Sequence, residues 1–161
     1  METKAKPGDL PALPERKLAV SGFVLERAAR RMKQYFQQQL LEQGAGVTVD
    51  QWVIMQQLQR HDGLSQHELA KATFKDAPTV TRIIDLLCGK ELLRRTPDPA
   101  DRRRYRIELT SRGRACIEEV LPIVRDFRRQ AWRGLSDNEV DRLVDSLNQI
   151  FDNLNGDPRT A

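Results

Sequence analysis

From Asp76 onward, apolar residues recur at spacings of three and four. Val80, Ile83, Ile84 and Leu87 share one face, and Thr79, Thr81, Arg82 and Asp85 fall on the others. Asp76 suits an N-cap and Pro78 a first turn, so a helix is predicted to begin here. Just upstream, Ser65-Gln66-His67-Glu68 is a capping box ahead of Leu69, Ala70 and Thr73, which predicts a short helix ending at Thr73. Only Phe74 and Lys75 separate it from the Asp76 cap. Two helices joined so closely, the second with a polar outer side, predict a helix-turn-helix. After it, Leu92–Thr96 and Tyr105–Leu109 read as strands, because Tyr105, Ile107 and Leu109 alternate with Arg106 and Glu108. The Pro- and Asp-rich TPDPADRRR between them is a loop. Residues 48–110 are therefore expected to form a winged helix-turn-helix.

The flanking pattern is helical throughout. A first helix is predicted over roughly Glu15–Leu41, with a basic sector of Arg27, Arg30, Arg31 and Lys33 read as a solvated face. Gly44 and Gly46 end that segment. A second starts at Thr48, paired with Gln51 as a cap, and its Trp52, Val53, Ile54, Met55 and Leu58 are apolar nearly all round, so it should be buried. Beyond the wing, Thr110 caps a helix reaching about Trp132, about 33 Å long. Its seam is Cys116, Val120, Ile123, Val124, Phe127 and Ala131, and Pro122 is expected to kink it. Ser136 and Glu139 cap a last helix. There Val140, Leu143, Val144, Leu147, Ile150, Phe151 and Leu154 make the cleanest stripe in the chain. A long helix pair standing away from the winged helix has little of its own chain to cover, which predicts a homodimer held by Val140, Leu143, Val144, Leu147, Ile150 and Phe151. The expected fold is mainly α with a small β-hairpin wing: a flexible arm 1–14, a helical dimerisation lobe from 15–47 and 111–155, the DNA-binding lobe 48–110, and a loose tail 156–161.

Charge sharpens this picture. The 161 residues carry a formal +4. From Arg94 to Arg106 there are six arginines against two aspartates, as much net charge as the whole chain. A basic wing on a nearly balanced body points to a localised polyanion site. Recognition helices of this type enter the DNA major groove, where Thr offers a methyl and a hydroxyl and Arg forks onto guanine. Candidate contacts are Ser65, Gln66, His67, Pro78, Thr79, Thr81, Arg82, Arg94, Asp101, Arg102, Arg103 and Arg104. His61 and His67 stand six apart with no Cys nearby, which does not suit a helix-borne metal pair, so neither a metal nor a cofactor is expected. No nucleophile motif, phosphate-cradling loop or His/Cys/acid cluster is present, and an enzyme is not expected. With two widely spaced cysteines, no secretory signal and no apolar run of membrane length, the chain reads as cytoplasmic.

GLSQHELAKATFKDAPTVTRIIDLL followed by DPADRRRYRIELTSRGR resembles the MarR family of transcriptional regulators, most strongly between Thr48 and Arg114. The resemblance implies a homodimeric repressor on an inverted-repeat operator of double-stranded DNA. It implies that Asp101 anchors a basic neighbour and Arg103 reaches into the minor groove; in this chain Arg94, Arg95 or Arg103 is the expected partner of Asp101, with Arg102 and Arg104 expected to meet phosphates or solvent. It also implies an effector cavity bordered by the first two helices. A small aromatic carboxylate or phenol is expected there, with Arg27 and Arg31 for the carboxylate and Tyr35 and Trp52 for the ring. The alternatives are a regulator without an effector, or a thiol sensor using Cys88 or Cys116. The family's thiol sensors carry a reactive Cys near the start of the first helix, and this chain has none before Cys88.

Overall fold

The computed structural model describes residues 15–101 and 103–155; the predicted arm 1–14, Arg102 and the tail 156–161 lie outside the described residues. Six helices and one hairpin follow in the order α1 (Glu15–Glu42), α2 (Val49–Arg60), α3 (Gln66–Thr73), α4 (Ala77–Gly89), β1 (Leu93–Pro97), β2 (Tyr105–Leu109), α5 (Ser111–Ala131) and α6 (Asp137–Asn155). This is the expected mainly α fold with a small wing.

Side chains set the helix starts. Thr48 and Gln51 cap α2 reciprocally, and Ser65 and Glu68 do the same for α3. Asp76 accepts the Thr79 N–H at 2.8 Å, Thr110 accepts the Gly113 N–H at 2.9 Å, and Ser136 and Glu139 close the box before α6. Each cap satisfies a donor that the first helical turn leaves without a partner. The α3–α4 turn hinges on Phe74, whose φ of 53° is left-handed. A side chain larger than Gly is strained there.

The core joins α2 to everything around it. Ile54, Met55 and Leu58 are fully buried with Leu69 of α3, Val80, Ile84 and Leu87 of α4, Ile107 of β2, and Val120 of α5. β1 and β2 pair antiparallel with Leu93 opposite Leu109. The first strand begins one residue later than expected, because Leu92 is still finishing the helix: its N–H donates to the Leu87 carbonyl at 2.9 Å, and Glu91 before it takes a φ of 59°. Leu64 bridges Ile107 on the other side, which fixes the entry to α3 against the wing.

Two expectations about the flanking helices need correction. The α5 seam does not face outward for a partner. Cys116, Val120, Ile123 and Val124 are buried within the chain, and Phe127 stacks on Phe36 of α1 at 4.9 Å, because α1 lies along α5 and covers it. Nor does the last helix pair stand clear of the winged helix. Phe151 of α6 meets Phe74 edge-on, with ring centroids 4.9 Å apart. Even so, no residue of α6 is buried along its length. The basic sector of α1 is exposed as expected, with Arg30 paired to Glu26 at 2.7 Å and Lys33 reaching Asp50 of α2 at 3.0 Å. α5 runs as one helix through Pro122.

Candidate nucleic-acid interface

The outer face of α4 carries Pro78, Thr79, Thr81 and Arg82, all exposed over a floor of buried Val80, Ile83, Ile84 and Leu87. Asp76 does more than start the helix. Its second carboxylate oxygen accepts the Thr79 hydroxyl at 2.8 Å, and the Thr79 backbone and side-chain donors hold its carboxyl below the usual range. Thr81 donates its hydroxyl to the Ala77 carbonyl at 2.9 Å and accepts from the Gln66 amide at 2.9 Å, a bond that ties α3 to α4. Arg82 has no hydrogen-bond partner among the described residues, so its guanidinium is free to fork. Asp85, on the same side of the helix, would repel phosphates. Arg95 of β1 covers it at 2.6 Å.

At the head of α3, Ser65 is committed to its capping box: its N–H and hydroxyl both donate to Glu68, at 2.8 and 2.7 Å. The Ser65 hydroxyl and backbone hold the Glu68 carboxyl below its ordinary value, with the nearby Arg104 adding to the effect. Gln66 serves Thr81, and His67 is exposed beside them.

The wing is less positive than its arginine count implies. Arg94 pairs with Glu108 at 2.7 Å, Arg95 with Asp85, and Arg106 with Asp98 at 3.1 Å. Two of these acids, Glu108 and Asp85, lie outside the arginine-rich stretch in sequence and enter only through the fold. What remains is the tip, where the side chains of Arg103 and Arg104 are exposed and have no hydrogen-bond partner among the described residues. Among the described residues Asp101 has no guanidinium partner of the kind expected. Its carboxylate accepts the Arg103 backbone N–H at 3.0 Å, and its carbonyl accepts the Arg104 N–H at 2.9 Å. Asp98 accepts the Ala100 N–H at 2.8 Å, and its own N–H donates to the Arg104 carbonyl at 2.9 Å. Both aspartates therefore act as turn-formers, as short carboxylate side chains do. The root of the wing is fixed to the body by Arg114 on Asp62, whose other oxygen accepts the Leu109 N–H at 3.2 Å.

A second feature lies between α1 and α5. A cleft of about 460 Å³ is lined by Ala28, Arg31, Met32 and Tyr35 from α1 and by Phe127, Gln130, Ala131 and Trp132 from the end of α5. Of the four residues expected at an effector site, Arg31 and Tyr35 come together here. Arg27 sits 5.8 Å over the Phe23 ring, and Trp52 is a core residue, 4% exposed. Trp132 and Gln130 were not anticipated; Trp132 read only as the place where a helix stops. Burial pushes the Cys88 and Cys116 thiols above their ordinary value. That is the opposite of what a reactive thiolate needs. No metal-holding cluster occurs among the described residues, and none of their helices is long and apolar enough to cross a membrane.

Comparison with known proteins fits this geometry. The MarR family model matches residues 45–104, from the entry to α2 to the wing tip. The HTH-type transcriptional repressor NicR of Pseudomonas putida is 33% identical over 131 residues, 81% of this chain and 82% of NicR. A structure of Bordetella bronchiseptica BpsR, concerned with regulation of its DNA binding by 6-hydroxynicotinic acid, superposes with a TM-score of 0.73 at 32% identity and covers 81% of this chain and 97% of that one. The complex of S. aureus MepR with DNA gives a TM-score of 0.73 at 27% identity, covering 83% of this chain and 95% of MepR. The chain belongs to the MarR family of winged-helix, DNA-binding transcriptional regulators.

Proposed function

We propose that this regulator is a homodimeric repressor that holds an inverted-repeat operator and leaves it when a small aromatic acid binds. The observation that carries the reading is the apolar stripe on α6, which its own chain leaves largely uncovered apart from the contact of Phe151 with Phe74. Leu143, Val144, Leu147, Ile150 and Phe151 are each between 37% and 46% exposed, on a helix with no buried residue. Full burial of such a side chain is worth roughly 1.5–3 kcal/mol, so covering the two-fifths still exposed stabilises an assembly by roughly 0.6–1.2 kcal/mol for each one. A two-fold axis through α6 joins two lobes made of 15–47 and 111–155. Two reading heads, 48–110, are then available for half-sites one helical turn apart, about 34 Å. Within each head, α4 takes the major groove through Thr79, Thr81 and Arg82. Arg103 takes the minor groove, and Arg104 with the head of α3 takes phosphates. Arg94, paired with Glu108, plays a structural part. The test is Leu147→Asp, which sets a charge in the proposed seam. Sedimentation should show monomers or unfolded protein, and a folded dimer of wild-type stability refutes the seam.

The effector reading is supported by the α1–α5 cleft and by the relatives. Arg31 supplies a guanidinium for a carboxylate, and Tyr35 and Trp132 supply faces for a ring. The regulation of BpsR by 6-hydroxynicotinic acid makes that compound the first probe. It should quench Trp132 fluorescence and release fluorescein-labelled DNA, with Arg31→Ala needing at least ten-fold more. Release of Arg31→Ala at the wild-type concentration would remove the cleft from consideration.

A further inference from the structure

The hydrogen bonds around Thr81 decide which half of its side chain is left for DNA. A hydroxyl has one hydrogen and two acceptor positions. The Ala77 carbonyl only accepts, so the 2.9 Å bond between it and Thr81 Oγ1 uses that hydrogen. With the hydrogen spent, the 2.9 Å contact to Gln66 has the amide donating, which also fixes the orientation of the amide. Both partners belong to the protein, one in the first turn of α4 and one at the start of α3, and they hold the oxygen on that side. Thr81 is nevertheless exposed. Its methyl is the substituent that neither bond engages. Thr79 is similar in kind, since its hydrogen goes to Asp76 at 2.8 Å. Neither threonine has a donor left for the N7 and O6 acceptors of guanine.

We propose that Thr81 reads a thymine by packing its methyl against the thymine C5-methyl, with Gln66 as the positioning residue that keeps the hydroxyl turned away. The inference rests on α4 entering the major groove, and it assigns the chemistry of one position there. Arg82, with a free guanidinium, takes the guanine contact on the same face.

The experiment uses the full-length protein and a duplex selected by it from a randomised pool. Thymines are replaced one at a time by deoxyuracil, which deletes only the methyl. Wild type should lose about four-fold in affinity at one thymine per half-site, the weight of one methyl group brought out of contact. Thr81→Ser should bind the thymine duplex about four-fold more weakly and become indifferent to deoxyuracil at that thymine, as a double-mutant cycle requires of a direct contact. Thr81→Val keeps the methyl and should keep the sensitivity. Gln66→Ala should reduce it while leaving the circular dichroism spectrum unchanged. Undiminished sensitivity in Thr81→Ser, or no responsive thymine in wild type, overturns the thymine reading, and full sensitivity in Gln66→Ala overturns the positioning role. Substitution of guanine by 7-deazaguanine separates the two levels. If it weakens wild type but not Arg82→Ala, α4 still lies in the major groove and only the thymine assignment falls. If no major-groove substitution has any effect, the docking itself is wrong.

Discussion

Asp101 gives a test in which two physical effects carry opposite signs. Its charge stands at the tip of a wing that approaches phosphates, so deleting the charge should tighten binding. At a separation of about 10 Å in water, one unit charge against one phosphate amounts to about 0.4 kcal/mol, and less at physiological salt. Its carboxylate also accepts the Arg103 N–H at 3.0 Å in the turn that presents the Arg103 and Arg104 side chains. Losing such a bond costs about 1 kcal/mol of turn order. The second effect is larger. Asp101→Ala is therefore expected to bind about two- to three-fold more weakly than wild type, although it removes a repulsive charge. Asp101→Asn separates the effects, because the amide oxygen still accepts the Arg103 N–H while the charge is gone; it should bind as tightly as wild type or slightly tighter. Both variants carry the same charge, so their salt slopes should agree. The assay is fluorescence anisotropy across a salt series. If Asp101→Ala binds more tightly than wild type at every salt concentration, or matches Asp101→Asn throughout, the wing acts as an unstructured positive cloud and the turn argument is wrong.

Arg82→Ala should cost roughly 1–3 kcal/mol on a selected site and relax specificity at one base pair per half-site, measured by competition binding; equal losses on selected and random DNA would assign Arg82 to phosphate. Gly113→Ala should lower the melting temperature in circular dichroism by the equivalent of roughly 1–3 kcal/mol, because a Cβ there would run into the Leu92 carbonyl oxygen and come within 3.1 Å of Leu109 Cδ2; an unchanged melt contradicts the packing. For Asp50, burial acts to raise the carboxyl pKa, but hydrogen bonds and charge from Lys75 and Lys33 overcome it and hold the group below 3.8. A depressed carboxyl contributes stability above its unfolded value and loses it as pH falls through the folded one, so Asp50→Asn should melt below wild type at pH 7, and the gap should begin to narrow below about pH 4 and close only as pH falls through the lower folded value.

The elements of this fold were legible because each is marked locally. Thr48, Ser65, Asp76, Thr110 and Ser136 are caps whose partners lie three residues away, and spacing over so short a range survives folding unchanged. The alternation through Ile107 and Leu109 marked β2 in the same way. What the sequence could not resolve was which apolar stripe meets which. The α5 seam and the α6 stripe look alike as patterns. The first is covered by α1 of the same chain and the second stays largely exposed, a difference that depends on the path of α1 and not on either stripe. Phe74 gave no sign of being a left-handed residue, because that role ordinarily falls to glycine.

The interface shows the same division between local and non-local information. The free groups Arg82, Arg103 and Arg104 were visible as residue types on an exposed helix face and a loop. Their distinction from Arg94, Arg95 and Arg106 was not visible, because it is made by Glu108 across the hairpin, Asp85 on another element and Asp98 across the wing. Counting charge over a window treats six arginines as equivalent, whereas the fold pairs three of them and leaves Arg103 and Arg104 at the tip without an ion pair or hydrogen bond among the described residues. That arrangement suits a reader of DNA better than a uniformly basic hairpin would. The paired arginines stiffen the wing and cancel acids that would otherwise face phosphates. Arg82 and Arg103 break no ion pair or hydrogen bond among the described residues when they bind, so more of their interaction with the nucleic acid appears as affinity than for Arg104, which also feels the Glu68 carboxylate. The same economy holds on α4, where Asp76 and Gln66 occupy the threonine hydroxyls while Arg82 is left free. A face with most of its polar groups already satisfied is a narrow reader. It discriminates through the few groups still open, and those are the ones whose substitution should change sequence preference and not merely strength.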